Sequence, residues 1–254
     1  MSISEKLTKV AENVPKVYEA GKKDEHAKFW DAYQNAENGV PKRTSYLSGF
    51  QGNMGWTKDN FYPKYDIKPV GNATQLFYAW EDEDKHTMDL SARLKECGVV
   101  LDTSQATSLQ SAFAYVRFAS IPPIDVTGLT SNSALVFGDN HDRLKTIEKI
   151  IIAETTPIGS NWFRNDKGLT NLTIEGTIGQ NGFSVKDCTK LTVASLLSIL
   201  TALSKDKSIA SGKSITFADN HLAVVQADED CLEQLSSALI AGWGIFFGTT
   251  KYEG

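Results

Sequence analysis

Cysteine is scarce in this 254-residue chain, and none of its three cysteines belongs to a Cys-x-x-Cys pair. Cys97, Cys188 and Cys231 are odd in number and far apart, which reads as reduced thiols in a cytosolically made protein rather than a disulfide framework. No apolar run reaches about 18 residues, so no membrane insertion is expected. The opening Met1-Ser-Ile-Ser-Glu-Lys-Leu7 lacks the basic start and apolar stretch of a secretory leader, and synthesis without a signal peptide is expected. Positive charge is also short: 26 Lys and Arg stand against 31 Asp and Glu. The net charge of −5 and pI near 5.4 argue against nucleic acid or an anionic membrane as the main partner. The acidic cluster Glu81-Asp-Glu-Asp84 reads as a solvated turn.

Catalytic signatures are equally thin. No serine sits in a Gly-x-Ser-x-Gly elbow, and no cysteine has a neighbouring base in sequence. Ser211-Gly-Lys-Ser214 lacks the first glycine of a phosphate loop, Lys207 standing there, and a helix rather than a strand precedes it. Gly176, Gly179 and Gly182 have the wrong spacing for a dinucleotide loop and read as turns. Asp139-Asn-His141-Asp142 and Asp219-Asn-His221 share a tripeptide, but residues 80 apart in a linear stack do not converge on a metal, and Asp-Asn clusters form turns first. His26 and His86 are isolated among charged neighbours. No pair of convergent carboxylates can be named. The chain is therefore expected to be no enzyme and to hold no cofactor and no metal.

A repeat is what the chain does have. Ile121-Pro-Pro-Ile124-Asp-Val126, Leu144-Lys-Thr-Ile147-Glu-Lys149 and Leu169-Thr-Asn-Leu172-Thr-Ile174 write one pattern about three times, starting 23 and 25 residues apart. The first and third copies read apolar-x-x-apolar-x-apolar, the strand of a leucine-rich repeat. In the middle copy Lys149 occupies an apolar position and Ile150, Ile151 and Ile152 follow, which predicts a strand shifted or bulged by one residue. A second mark, a Phe in a short polar segment, recurs at Phe113, Phe137, Phe163 and Phe183, and Phe77 is a candidate for an earlier one. Leu101-Asp102 extends the strand period backwards. One such coil cannot cover its own apolar face, so stacking is required.

The flanks read differently. Residues 1–37 are expected to be helical, with a heptad seam Ile3, Leu7, Val10, Val14, Val17, Gly21 interrupted by Pro15; the seam serves self-association or packs on its own domain. Residues 38–98 read as an aromatic, turn-rich cap containing a first coil and a helix from Asp89 to Cys97 ended by Gly98. Residues 99–190 are the repeat array. Residues 191–254 read as a cap: a helix over Leu191–Leu203, a strand Ser214–Phe217, a helix from Asp228 to Ala241 ended by Gly242, and a strand Trp243–Phe247. The fold class expected is α+β: a leucine-rich-repeat-like solenoid of short parallel strands between an N-terminal helical segment and a C-terminal α/β cap.

These residues carry a resemblance. Trp56-Thr-x-Asp59-x-Phe61-x-Pro63-Lys64-Tyr65-Asp66, Leu101-Asp-Thr-Ser104, Leu144-x-Thr-Ile-Glu-Lys-Ile150, Leu172-Thr-Ile-Glu-Gly-Thr-Ile-Gly179 and the terminal Gly242-Trp243 resemble the BspA-like leucine-rich repeat proteins of Firmicutes prophages. So does the opening Ile3-Ser-Glu-Lys-Leu-x-x-Val-Ala-Glu-Asn13, and the likeness covers nearly the whole chain. The chain lacks the regular Ala-Phe-x-x-Cys segment of the commoner repeat. The resemblance implies a binding solenoid encoded near phage tail genes, with virion association, and no catalytic residues.

A surface remains as the candidate site. The x residues of the repeat strand are expected to point outward and align across coils: Asp125; Lys145, Thr146 and Glu148; Thr170, Asn171 and Thr173. This polar row suits a hydrogen-bonding contact with a protein or a cell-surface glycan, or is a solvated sheet face. Three roles are weighed: a non-enzymatic recognition module, a structural part of a phage tail or baseplate assembled through its N-terminal helices, and, with least support, a cell-wall hydrolase.

Overall fold

The computed structural model describes residues 61–63, 66–77, 88–159 and 161–254. The helix and self-association seam expected near the amino terminus, the turns before residue 61, the acidic cluster at 81–84, His26 and His86 lie outside the described residues. Within them the structure is α+β, a curled parallel sheet followed by a second, four-stranded sheet.

The first part of the chain holds β1 (Gly71–Asn72), β2 (Met88–Asp89), β3 (Ala106–Ser108), β4 (Phe118–Ile121), β5 (Ile124–Asp125), β6 (Thr146–Ile152) and β7 (Asn171–Gly176). Pairing is parallel with a nearly constant offset: Ser120 lies against Thr146, Ile124 against Ile150, Thr146 against Asn171, and Ile150 against Ile174. Parallel neighbours require the chain to cross back between strands. Each return segment carries the recurring Phe.

Those phenylalanines form one column. Phe77, Phe113, Phe137, Phe163 and Phe183 follow each other with centroids 5.5, 5.7, 5.4 and 5.4 Å apart, and all five are buried. Two residues before and two after the three central rings stand left-handed residues: Ser111 and Tyr115, Leu135 and Asp139, Asn161 and Asn165. A non-glycine residue there costs roughly 1–2 kcal/mol. Burying one Phe returns roughly 1.5–3 kcal/mol and ring contact about 1 more, which only balances the strain. Backbone bonds between windings tip the balance: Ser111 N to Ala134 O (2.9 Å), Phe113 N to Val136 O (2.8 Å) and Phe137 N to Trp162 O (3.0 Å). The return segments are laddered like the strands. Windings approach closely enough that a Cβ on Gly176, whose φ is +104°, would overlap the Ile152 carbonyl oxygen.

The expected strands are modified by local chemistry. Pro122 and Pro123 lack a backbone donor and split the first copy into β4 and β5. The middle copy is bulged: its register against β7 shifts between Ile147 and Ile150, which turns Lys149 away from the core. Where a strand was expected over residues 99–102, only Leu101 pairs, with Ile67. Helix α1 (Leu90–Cys97) is closed as expected by Gly98 in the left-handed region, and Asp89, read as its first residue, is its cap, the carboxylate accepting from Ala92 N at 2.9 Å.

Sheet edges are sealed by hydroxyls. Helix α2 (Val193–Ala202) lies along β7, where the Ser195 hydroxyl accepts from Leu172 N (2.9 Å) and donates to Thr170 O (3.1 Å). One turn on, the Ser198 hydroxyl accepts from Ile174 N (2.9 Å). On the opposite side the Thr103 hydroxyl accepts from Asp125 N (2.9 Å) and donates to Asp125 O (2.8 Å). These hydroxyls take edge groups of β5 and β7 that would otherwise be open to a further strand.

The boundary expected at residue 190 does not interrupt the pairing. Ile178 bridges Leu203, and β8 (Ser184–Val185), β9 (Ser214–Phe217) and β10 (Gly244–Phe247) continue parallel, Thr216 lying between Ser184 and Phe246. The return segments here contain α3 (Lys207–Ala210), α4 (His221–Gln226) and α5 (Glu229–Ala241), which lengthen the offset to about 30 residues. Strand β11 (Thr250–Lys251) turns back antiparallel on β10. One hydrophobic core runs from Phe61 to Phe247.

Phe137 sits mid-column, so Phe137→Ala should lower unfolding free energy by about 3–5 kcal/mol in a urea or thermal melt. A variant that melts with the parent would contradict the column as the source of cohesion.

Candidate binding face

Alternation along β7 buries Leu172 and Ile174 and exposes Asn171, Thr173 and Glu175. The register then builds three rows. Ser120, Thr146 and Asn171 form the first; Ser120 is buried at its inner end, and at the exposed end the Asn171 amide donates to the Thr146 hydroxyl at 3.4 Å and to the Thr170 hydroxyl at 3.1 Å. On the other side Ser120 donates to the Ser91 hydroxyl of α1 at 3.0 Å, so hydroxyl and amide groups run across four elements. The bulge places Glu148 and Lys149 opposite Thr173. The third row is Asp125, Ile151 and Glu175, with Glu175 ion-paired to Lys149 across the strands.

Five of the seven expected residues therefore share this face: Asp125, Thr146, Glu148, Asn171 and Thr173. Lys145 and Thr170 do not lie on the strands. They occupy the turns just before β6 and β7 and meet through the backbone, Thr170 N donating to Lys145 O at 2.9 Å. Lys145 faces a neighbouring charge cluster in which Lys190 pairs with Asp142 at 3.1 Å, and Lys190, Lys145 and Lys167 together hold the Asp142 carboxyl below its usual range. Sequence reasoning missed Ser120, Lys149, Ile151 and Glu175. The signal for Lys149 was its charge at an apolar position. Nothing in the sequence alone marked Ser120.

Chemically the face offers short hydrogen-bonding side chains and two opposite charges on a bulge. Side chains of this kind can make several weak hydrogen bonds to a polar group. A separate cleft of about 570 Å³, lined by Lys213, Trp243, Phe246, Lys251 and Tyr252, shares no residue with it.

The two Asp-Asn-His motifs part company. Asp139 is buried and accepts from Arg164 (Nε at 3.2 Å, and Nη2) and from Asn165 Nδ2 at 2.8 Å. Burial pushes its carboxyl up, but Arg164, Asn165 and Tyr115 outweigh that and hold it below the usual range. His141 is exposed, whereas His221 is fully buried, with the Phe217 ring 6.4 Å away edge-on. Among the described residues no cluster of three His, Cys, Asp or Glu could hold a metal ion. Burial raises the Cys188 thiol and pushes that of Cys231 up to about 12, so neither is a ready thiolate. No described helix is long and apolar enough to cross a membrane.

No family model, no curated protein and no solved structure matches the chain.

His221 supplies a pH prediction. Burial lowers its pKa to about 4, the Cys188 backbone acting weakly the other way. The unfolded chain binds a proton below about 6.5 that the folded chain refuses until about 4, so stability present above 6.5 is lost as pH falls between those values. The full loss is about 3 kcal/mol. Acid melts of the parent and of His221→Phe should therefore differ in slope by this one proton between about pH 4 and about pH 6.5; identical slopes would contradict the assignment.

Proposed function

We propose that this chain is a non-enzymatic binding module of leucine-rich-repeat type, whose outward rows on β6 and β7 contact a protein or a glycan at a cell surface. The observation that carries the reading is the alignment of polar side chains across windings, Thr146 with Asn171 and Glu148 and Lys149 with Thr173, on a sheet with edge groups of β5 and β7 taken by hydroxyls. Such a face cannot recruit a partner by adding strands, so it recruits through side chains. The resemblance to BspA-like proteins of prophages supports a host-surface ligand and association with a virion. The charged pair Lys149 and Glu175 sits at the rim of the hydroxyl and amide row and orients a polar ligand along it.

Purified protein should bind Gram-positive cell-wall material or intact cells and release no soluble fragment from them. Because the contact is polar and shallow, Glu148→Ala or Asn171→Ala should each weaken binding by about 1 kcal/mol. The combined change of Lys145, Glu148, Asn171 and Thr173 to Ala should abolish binding and leave the melting temperature nearly unaltered. Binding that survives the combination moves the contact elsewhere, the cleft beside Trp243 being the next place to mutate. Time-dependent release of sugar or peptide overturns the non-enzymatic reading.

A further inference from the structure

A second column, this one polar, runs beside the phenylalanines. Asn140 is fully buried; its Oδ1 accepts from Val116 N at 2.7 Å, and its Nδ2 donates to the carbonyl of Phe113 at 3.0 Å and to that of Phe137. One winding on, Asp166 occupies the same position, its Oδ1 accepting from Asn140 N at 2.9 Å. One further winding on stands Cys188, whose Sγ lies 3.9 Å from the Phe163 carbonyl. Equivalence is fixed by the backbone: Asp166 N and Cys188 N bond back to Phe163 O and Val185 O, each three residues earlier, the spacing from Asn140 to Phe137.

In this column each side chain reaches a phenylalanine carbonyl of the preceding winding with a donor: an amide N–H at Asn140 and a thiol S–H at Cys188. Between them Asp166 places Oδ2, fully buried and without a partner as an acceptor. An ionised carboxylate there would set two acceptors against each other, whereas a protonated one completes the series. We infer that Asp166 is held as a neutral carboxylic acid whose Oδ2 hydroxyl donates to the Phe137 carbonyl, and that this proton is a pH-sensitive lock on the turns that launch β6 and β7. The surroundings agree. Desolvation raises the Asp166 carboxyl well above its ordinary value, the Asn140 N–H opposes this, and the charged groups acting on it are the acidic Asp139 and Asp187. Cys188 stays a thiol, and His221, which faces the Cys188 backbone, is neutral above about pH 4.

The folded chain keeps a proton that the unfolded chain releases above about 3.9, so stability falls as pH rises from there through the folded value. Asp166→Asn keeps the shape and supplies an N–H donor at every pH, as Asn140 does. Thermal melts from about pH 7, above the range in which His221 titrates, to about pH 9 should show the parent's melting temperature falling with a slope that Asp166→Asn lacks, the variant melting above the parent at the alkaline end. The converse change, Asn140→Asp, should steepen the slope. Infrared difference spectra of the parent at neutral pH should contain a protonated-carboxyl band that Asp166→Asn removes. A parent slope retained in Asp166→Asn, or a parent spectrum without that band, overturns the inference. Should Asp166→Asn fail to fold, the parent spectrum and the Asn140→Asp slope decide it.

Discussion

A winding of about 25 residues has no interior of its own; its apolar side chains leave water only when another winding covers them. Everything in this chain follows from meeting that need with the least sequence. One Phe per return segment reaches the axis, and stacked rings such as Phe113, Phe137 and Phe163 give a continuous core without a helix on the return side. The cost is left-handed backbone on both sides of each ring, which persists because adjacent return segments hydrogen-bond to one another. Beyond Phe183 the chain changes its means: α3, α4 and α5 lie in the return segments, and the parallel pairing of β8, β9 and β10 proceeds at a longer offset.

The same need shapes the outer face. With Ile147, Ile150, Leu172 and Ile174 committed inward, the residues between them are left to solvent and brought into rows by register alone. Thr103, Ser195 and Ser198 close the lateral edges with hydroxyl oxygens, which keeps the stack from adding foreign strands. The chemistry of the outer face, hydroxyl and amide with one bridged ion pair, favours polar recognition over burial of apolar surface.

Much of this was legible in the sequence because the marks are local. The Phe period appears as a ring column, Asp89 with Gly98 and Asp228 with Gly242 cap helices where they were expected to, and Ser214–Phe217 is β9. What escaped depends on contacts between windings. The bulge that Lys149 signalled is present, but the residue facing Lys149 across it, Glu175, is set by the register against β7. Asp139-Asn-His141-Asp142 read as a turn or a metal candidate, yet its Asn140 is a buried bracket between carbonyls of adjacent windings. Asp166 carried no sequence signal at all, since its burial arises from Asn140 and Cys188 stacking on either side. Ser195 and Ser198 looked like ordinary helix residues until β7 lay beside them.

Register turns one repeat into rows, and cross-linking reads that register out. In a Cys97→Ser background, Thr146→Cys with Asn171→Cys places two thiols on facing positions of adjacent parallel strands, within the roughly 4.4–6.8 Å Cα separation a disulfide tolerates. Mild oxidation should close an intramolecular bond in the folded monomer without lowering its melting temperature. Thr146→Cys with Glu175→Cys, four residues or about 13 Å along the strand, should not close. A bond that forms with Glu175→Cys and not with Asn171→Cys would contradict the register and the binding face built upon it.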